Sequence, residues 1–403
     1  METNSSVIPE IYRKGSVKNV RGRPKEDLWF FEFSDGYSIF DWGTMPDELS
    51  GKGKSLALTC VAIYSWLNRS EAWSEKANYP SFSETADIYL NWLKEKGLKA
   101  HLRGSWDDEG PFLRPLSDIG ENIFLAFRPF EVIRPTWKES ERIWDYSIFN
   151  KRPSSGMLPL EVIFRFGVPK GSSFTKRSSD KKYLQSLTGG RPLKEGDDGL
   201  WEYPLIEFST KWEPEDRYLT YEEAQEIAGL SDGEFESLCE LNRLVAYQLK
   251  NLFKEANITL WDGKCEWAFS EEEGPFKGQR SFILADTLGP DELRLSFNDL
   301  PFSKEALRDL YRGSQWSLRV EKAKKDARDC GLKDWKSLYH DKKYKNPLGP
   351  RPLSSSQKET FSMIYQSLSN TLCEKLLDVK PFPKAWSLEK VGKALETKLK
   401  EGL

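Results

Sequence analysis

The chain has 403 residues, 38% of them hydrophobic and 13% aromatic with 15 Trp, so it carries enough apolar surface for a packed core and is not a disordered chain. A net charge of −3 and a pI near 5.8 leave no global electrostatic case for nucleic acid or an anionic membrane as partner. Five cysteines without a C-x-x-C pair and only two histidines argue against a disulfide framework, a zinc site or a histidine-based triad. The expectation is a cytoplasmic protein whose chemistry runs on carboxylates, Lys, Arg and a cofactor. The first ten residues lack the apolar core of a signal peptide, and Leu56–Leu67, the most apolar stretch, is too short to span a bilayer.

Taken in order, Ile11–Val20 places a basic, glycine-containing turn ahead of the strand-like Leu28–Phe33. Gly15, flanked by Arg13, Lys14 and Lys18, offers backbone N–H groups and ammonium charge to a phosphate, although a simple turn has the same composition. Ser34–Asp41 sets two Asp around a turn, and Lys52 with Gly53 forms a second basic glycine site before a helix with a buried face at Lys54–Leu67. Residues 68–155 yield little beyond short strands such as Ile123–Phe127.

Leu158–Phe166 is a β-branched and aromatic strand interrupted by Glu161 and Arg165, which share one face. Gly171, Ser172 and Ser173 follow. A guanidinium that forks onto phosphate, with a serine donor nearby, suits an anionic ligand; an Arg–Glu pair within the sheet fits equally well. Ser178–Gly199, polar and rich in Gly and Lys, reads as a loop, and Glu207–Lys211 as the lead-in to a helix. Thr220 with Glu223 and Ser231 with Glu234 have capping-box spacing. Phe235, Leu238, Leu241, Val245, Leu249 and Leu252 then recur at helical spacing, a stripe assigned to core and to no chemistry.

That helix feeds a hairpin, Ile258–Arg294, that carries charge on a strand. Asp262, Lys264 and Glu266 alternate with Trp261, Gly263, Cys265 and Trp267, so the three ionisable groups share a face, about 6–7 Å apart. The polar run Ser270–Gln279 reads as the connecting turn, and the apolar Phe282–Ala285 ends on Asp286. If the two strands pair, Glu266 and Asp286 come close, and such carboxylates repel unless a proton or cation lies between them. A hard cation such as Mg²⁺ suits these oxygen ligands. A surface hairpin with a solvated polar face would show the same alternation.

Ser303–Trp316 and Val320–Asp329 read as helices, Asn346–Pro352 breaks the chain, and Gln357–Leu377 and Leu388–Lys400 read as amphipathic helices. Strand-rich runs followed by helical ones, without an internal repeat, point to an α+β fold. Three blocks are expected: a strand-rich 1–157 with the phosphate-contacting loop, an α+β catalytic 158–316, and a helical extension 317–403.

Taken together, Gly15–Lys18, Ser38–Asp41, Lys52 with Gly53, Leu158–Arg165, Gly171 with Ser172, Ser209–Lys211, Asp262–Glu266 and Ala285–Arg294 are collinear with the SAICAR synthase family, the phosphoribosylaminoimidazole-succinocarboxamide synthases, from about Tyr12 to Arg312. The sequence resembles a divergent member. The resemblance implies that fold and an enzyme of purine biosynthesis that uses Mg-ATP. ATP would activate the carboxylate of carboxyaminoimidazole ribotide as an acyl phosphate, which the amine of aspartate then attacks. It further implies Glu266 and Asp286 as metal ligands, and Gly15, Ser16, Lys18 and Glu161 as the nucleotide contacts. Arg165, Ser172 and Arg294 would hold the ribotide phosphate, and Lys211 and Asp216 would bind substrate. Asp41, Asp262 and Lys264 would line the reacting cleft. Partners are small molecules, with a homo-oligomer allowed for.

The sequence departs from the family pattern at Ser16, at Asp35 with Gly36, at Asp216, Arg217 and Tyr218, at Thr287, and at Glu292 with Leu293. Ser16 removes one phosphate-facing cation and Thr287 alters the second metal position, but phosphate and metal contacts are kept better than the residues around the second substrate. These departures keep open a ligase of the same fold that joins another acid or amine, and a nucleotide-binding protein that has lost catalysis.

Overall fold

Apolar residues at every second position build strands, and apolar residues at helical spacing build helices, in a computed structural model that describes residues 9–74, 79, 83–107, 110–114, 124–188, 193–196, 198–332, 334–340 and 348–403. In chain order these are β1 (Ile11–Arg13), β2 (Lys18–Arg21), β3 (Trp29–Phe33), α1 (Lys52–Leu67), α2 (Glu84–Lys96), β4 (Leu102–Asp107), β5 (Gly110–Arg114), β6 (Phe124–Phe127), β7 (Thr136–Lys138), β8 (Ile143–Asp145) and β9 (Gly156–Arg165). There follow α3 (Phe174–Arg177), α4 (Lys181–Thr188), β10 (Leu205–Thr210), β11 (Tyr218–Leu219), α5 (Tyr221–Ala228), α6 (Asp232–Lys254), β12 (Thr259–Ser270), β13 (Ser281–Ala285) and β14 (Leu293–Phe297). The chain ends with β15 (Leu300–Pro301), α7 (Lys304–Tyr311), α8 (Gln315–Asp329), α9 (Trp335–Tyr339), α10 (Ser355–Leu377) and α11 (Leu388–Glu401). Among the described residues no helix is long and apolar enough to cross a membrane.

The chain divides into two compact units that do not follow the three expected blocks. One comprises residues 1–62, 103–128 and 297–403; the other comprises residues 63–102 and 129–296. The expected C-terminal extension is therefore part of the first unit. There the thiol of Cys373 on α10 packs with Leu58 and Ala62 of α1, and Leu376, Leu377 and Phe382 close over them. The first unit's sheet has the order β1-β2-β3-β6-β4-β5.

The second unit is built on a sheet ordered β11-β10-β9-β12-β14, with β13 paired to β12. α6 covers one face of β9, β10 and β12. Both capping boxes form: Ser231 accepts from Glu234 N at 3.3 Å while the Glu234 carboxylate accepts from Ser231 N at 3.0 Å, and Thr220 and Glu223 do the same for α5. Trp267 on β12 is fully buried on the helix side and donates its indole N–H to Asn242 of α6 at 3.1 Å. Gly263 is glycine because a Cβ there would meet Leu293 Cδ2 at 2.5 Å and Phe164 Cζ at 2.6 Å.

Several sequence expectations shift. Ser178–Gly199 contains the helix α4, which buries Leu187. The residues 68–155 contain α2, capped by Ser83, whose side chain accepts from Ala86 N. Glu207–Thr210 belongs to a strand, with Lys211 just past its end, rather than to a helix start, because the strand's alternation buries Ile206 and Phe208 beneath α6 and α5. The run 303–316 breaks at Gly313, whose φ of +79° ends α7, and α8 begins at Gln315. Ile123, and residues 346–347 of the break before α10, lie outside the described residues.

Candidate active site

The side of the sheet opposite α6 is a charged layer set by register. β9 and β12 run antiparallel with Arg165 opposite Asp262, Ile163 opposite Lys264 and Glu161 opposite Glu266. β9 and β10 pair with Ile163 opposite Glu207 and Glu161 opposite Ser209. A bulge between Leu260 and Asp262 brings Arg294 of β14 opposite Asp262. Directly paired residues project to the same face. Glu207, Ser209, Glu161, Arg165, Asp262, Lys264, Glu266 and Arg294 therefore share one surface, as the alternation in β12 predicted for its own three members.

Two linked clusters fill this surface. In the first, Arg165 donates through Nε to Glu207 and through Nη1 to Asp262 at 2.7 Å, and Arg294 donates to the same Asp262 oxygen at 3.1 Å. Glu207, with no exposed surface, also accepts from Arg177 Nε at 3.1 Å and from the Tyr183 hydroxyl at 2.8 Å. Burial works against its charge, but Arg165 and Arg177 outweigh it and hold the carboxyl below the usual range. The expected Arg–Glu pair within the sheet thus exists, but with Glu207 across the ladder. Glu161, on Arg165's own strand, lies about 13 Å along it.

In the second cluster Lys264 reaches Glu161 and stands 3.6 Å from Glu266, whose other oxygen receives the ammonium of Lys211. Ser209 Oγ donates to Glu161 at 3.3 Å. Burial disfavours the Lys264 ammonium, yet Glu161 and Glu266 hold its pKa well above the usual value; Asp216 adds to this. For Glu266, burial and then the nearby Asp286 carboxylate push the pKa up, against the two lysines. Charge-dense and with buried carboxylates paired to Lys211 and Lys264, this cluster suits exchange of protein cations for ligand-borne ones.

The SAICAR synthetase family model matches residues 11–323. The chain belongs to that family. It is 31% identical over 363 residues to a putative phosphoribosylaminoimidazole-succinocarboxamide synthase of Archaeoglobus fulgidus, covering 88% of this chain and 92% of that protein. It is 25% identical over 332 residues to the phosphoribosylaminoimidazole-succinocarboxamide synthase of Thermoplasma acidophilum, covering 78% of this chain and 87% of that one. Its fold resembles the SAICAR synthase of Saccharomyces cerevisiae solved with SAICAR, at 15% identity and a TM-score of 0.51 over 94% of this chain and 98% of that one.

Of the residues singled out from sequence, Glu161, Arg165, Lys211, Asp262, Lys264, Glu266 and Arg294 stand in one charged layer. Asp216 and Asp286 stand near enough to act electrostatically on Lys264 and Glu266 respectively. Ser172 is buried, and its hydroxyl accepts from Phe174 N at 3.3 Å. Gly15, Ser16, Lys18 and Asp41 belong to the other unit. There Gly15 sits in a turn so tight that a Cβ would meet Lys18 O at 2.3 Å, and the Lys18 ammonium lies 4.5 Å from the Phe31 ring centroid. Asp41 has φ +56° and pairs with Lys324 at 2.5 Å. The second basic glycine site is closed: Asp35 accepts from Gly51 N at 3.0 Å and Gly53 N at 2.9 Å, and Lys52 is fully buried. Asp35, a departure from the family pattern, thus caps α1.

Sequence reasoning missed Glu207, Arg177 and Tyr183. Glu207 was legible, since Glu207, Ser209 and Lys211 alternate with Ile206, Phe208 and Thr210 as the charges do in β12. Arg177 and Tyr183 carry no local signal, because they reach Glu207 only when α3 and α4 fold back on β10.

Proposed function

We propose that this chain is an ATP-dependent carbon–nitrogen ligase that makes SAICAR from carboxyaminoimidazole ribotide and L-aspartate. Membership of the SAICAR synthetase family supports the reaction class. The observation that carries the assignment of residues is the buried layer in which Lys211 and Lys264 face Glu161 and Glu266, beside Arg165 and Arg294 on Asp262. In the reaction, a ribotide carboxylate oxygen attacks the γ-phosphorus and ADP leaves. The aspartate nitrogen then attacks the acyl carbon, phosphate leaves, and the nitrogen releases its proton. Bringing these anions together is the main obstacle, so positioned cations and exclusion of water do most of the work.

Lys264 and Lys211 offset the growing charge on the transferred phosphoryl group, and Arg294, Arg165 and Ser172 receive the ribotide phosphate. Asp262 keeps both guanidinium groups aimed while the site is empty of phosphate. Glu161 contacts the nucleotide, and Asp216 contacts the substrates. Among the described residues no group of three or more His, Cys, Asp or Glu gathers to hold a metal. That fits Mg²⁺, which takes one or two carboxylates and fills its other positions with phosphate oxygens and water. Glu266 and Asp286, whose carboxylate raises the proton affinity of Glu266, would hold it, and it would supply positive charge to the polyphosphate. Free thiols at all five cysteines fit the cytoplasm.

A second reading keeps the ATP chemistry with a different amine. It is favoured by the segment after Lys211, where Arg217 is tied to Glu213 at 3.0 Å and Tyr218 lies 3.3 Å from Arg177. Incubation with Mg-ATP, carboxyaminoimidazole ribotide and aspartate, omitting each in turn and following ADP and product mass, tests both. SAICAR from the complete mixture alone establishes the first reading. ADP release without an aspartate adduct establishes the second, and no turnover with ATP still bound leaves a nucleotide-binding protein without catalysis.

A further inference from the structure

Asp286 leaves β13 with its backbone in the left-handed region, at φ +58°. The residue before it, Ala285, is paired directly with Glu266 and so shares its face. In a regular strand Asp286 would point to the other face, towards α6. Rotating φ from a strand value of about −140° to the observed one turns the Cβ about half a turn around the N–Cα bond and returns the side chain to the charged side. The left-handed conformation is thus what makes a pair of Glu266 and Asp286.

That conformation is unfavourable for a residue with a Cβ, though Asp tolerates it better than most, and something must hold it. Its carbonyl oxygen is gripped by two side chains from separate segments. His101 Nε2 lies 2.9 Å away, and the Tyr64 hydroxyl donates to it at 3.1 Å and to the Ala285 carbonyl at 3.0 Å. A carbonyl has no hydrogen to give, so Nε2 carries the proton in this bond. Both donors are buried, His101 at 3% and Tyr64 at 1% exposure. His101 is itself anchored to β13: its N–H donates to Leu284 O at 2.9 Å, and Leu284 N donates to Lys99 O at 3.0 Å. The donors and the strand they grip therefore form one rigid frame.

We propose that His101 and Tyr64 are positioning residues that lock the left-handed turn at Asp286 and so fix its carboxylate beside Glu266. The inference rests on reading Glu266 and Asp286 as the pair that faces a divalent cation. Released from the clamp, the turn relaxes towards the extended region and the carboxylate swings away from Glu266.

The test is Mn²⁺ titration of the full chain in the presence of ADP, with free Mn²⁺ read by electron paramagnetic resonance and the Mn²⁺-ADP shift in Tm measured alongside. His101→Phe keeps a ring without the donor; it weakens Mn²⁺ binding by on the order of tenfold, as loss of an outer-shell partner does, and shrinks the ligand-induced Tm shift. His101→Gln, whose amide N–H reaches the same oxygen, recovers most of the affinity. Tyr64→Phe weakens binding by a smaller factor and decides the question alone if His101→Phe fails to fold. Folded variants that bind Mn²⁺ like the wild type, with Tm lowered equally in free and loaded protein, overturn the clamp. Asp286→Asn separates the two readings. Wild-type Mn²⁺ binding in that variant overturns the cation pair itself, whereas lost binding there with normal binding in His101→Phe overturns the clamp alone.

Discussion

Glu234→Gln isolates one charge that ties α6 to the hairpin bearing Glu266 and Asp286. Glu234 has no exposed surface; its carboxylate accepts from Arg280 N at 3.1 Å, Arg280 Nε and Nη2 at 3.0 Å, and Arg152 Nη2 at 3.0 Å, besides closing the capping box. Burial alone would raise its pKa, but Arg280 and the backbone donors outweigh burial and lower it from 4.5 to about 2. Holding the carboxyl that low corresponds to about 3 kcal/mol of native-state stability at neutral pH. Because the folded pKa is depressed, that contribution is complete above the unfolded value of 4.5 and disappears as pH falls towards about 2. Urea unfolding of wild type and Glu234→Gln at pH 7 is expected to differ by about 3 kcal/mol, and the gap is expected to narrow steadily below pH 4.5. Gln keeps the acceptor oxygen, so the pH-dependent part reads the charge. A gap below about 1 kcal/mol at pH 7, or one that does not change with pH, would refute the argument.

Glu266→Gln is expected to abolish ATP-dependent ligation while circular dichroism stays unchanged; near-normal turnover would remove Glu266 from the cation site. Arg294→Ala should raise the KM for the ribotide by on the order of tenfold or more and leave that for ATP nearly unchanged, since loss of a charge-assisted contact is worth about 1.5–3 kcal/mol. Equal effects on both substrates would sink its assignment to the ribotide phosphate. Gly263→Ala should destabilise the protein by about 1–3 kcal/mol in thermal unfolding, because its Cβ would press on Leu293 and Phe164 at 2.5 and 2.6 Å. An unchanged Tm would mean that the aromatic layer beneath β12 yields freely.

Much of the charged layer was written locally. Alternation in β12 put Asp262, Lys264 and Glu266 on one face, because a strand has a period of two whatever surrounds it. The spacing of Thr220 with Glu223 and Ser231 with Glu234 fixed the starts of α5 and α6, because capping is an interaction within one turn. The length of the apolar stripe after Ser231 gave α6 for the same reason. Tertiary structure decided which charges meet. Arg165 pairs with Glu207 and Asp262 rather than with Glu161, because partners across a ladder follow from register, and register depends on strands distant in sequence. The C-terminal helices join residues 1–62 in one unit for a similar reason, since α10 covers an apolar face of α1 more than 300 residues away. Pairing β12 with β13 was legible, but it sets Ala285, not Asp286, opposite Glu266. Only a left-handed turn returns Asp286 to that face, and its φ is held by His101 and Tyr64, residues that no local pattern connects to it.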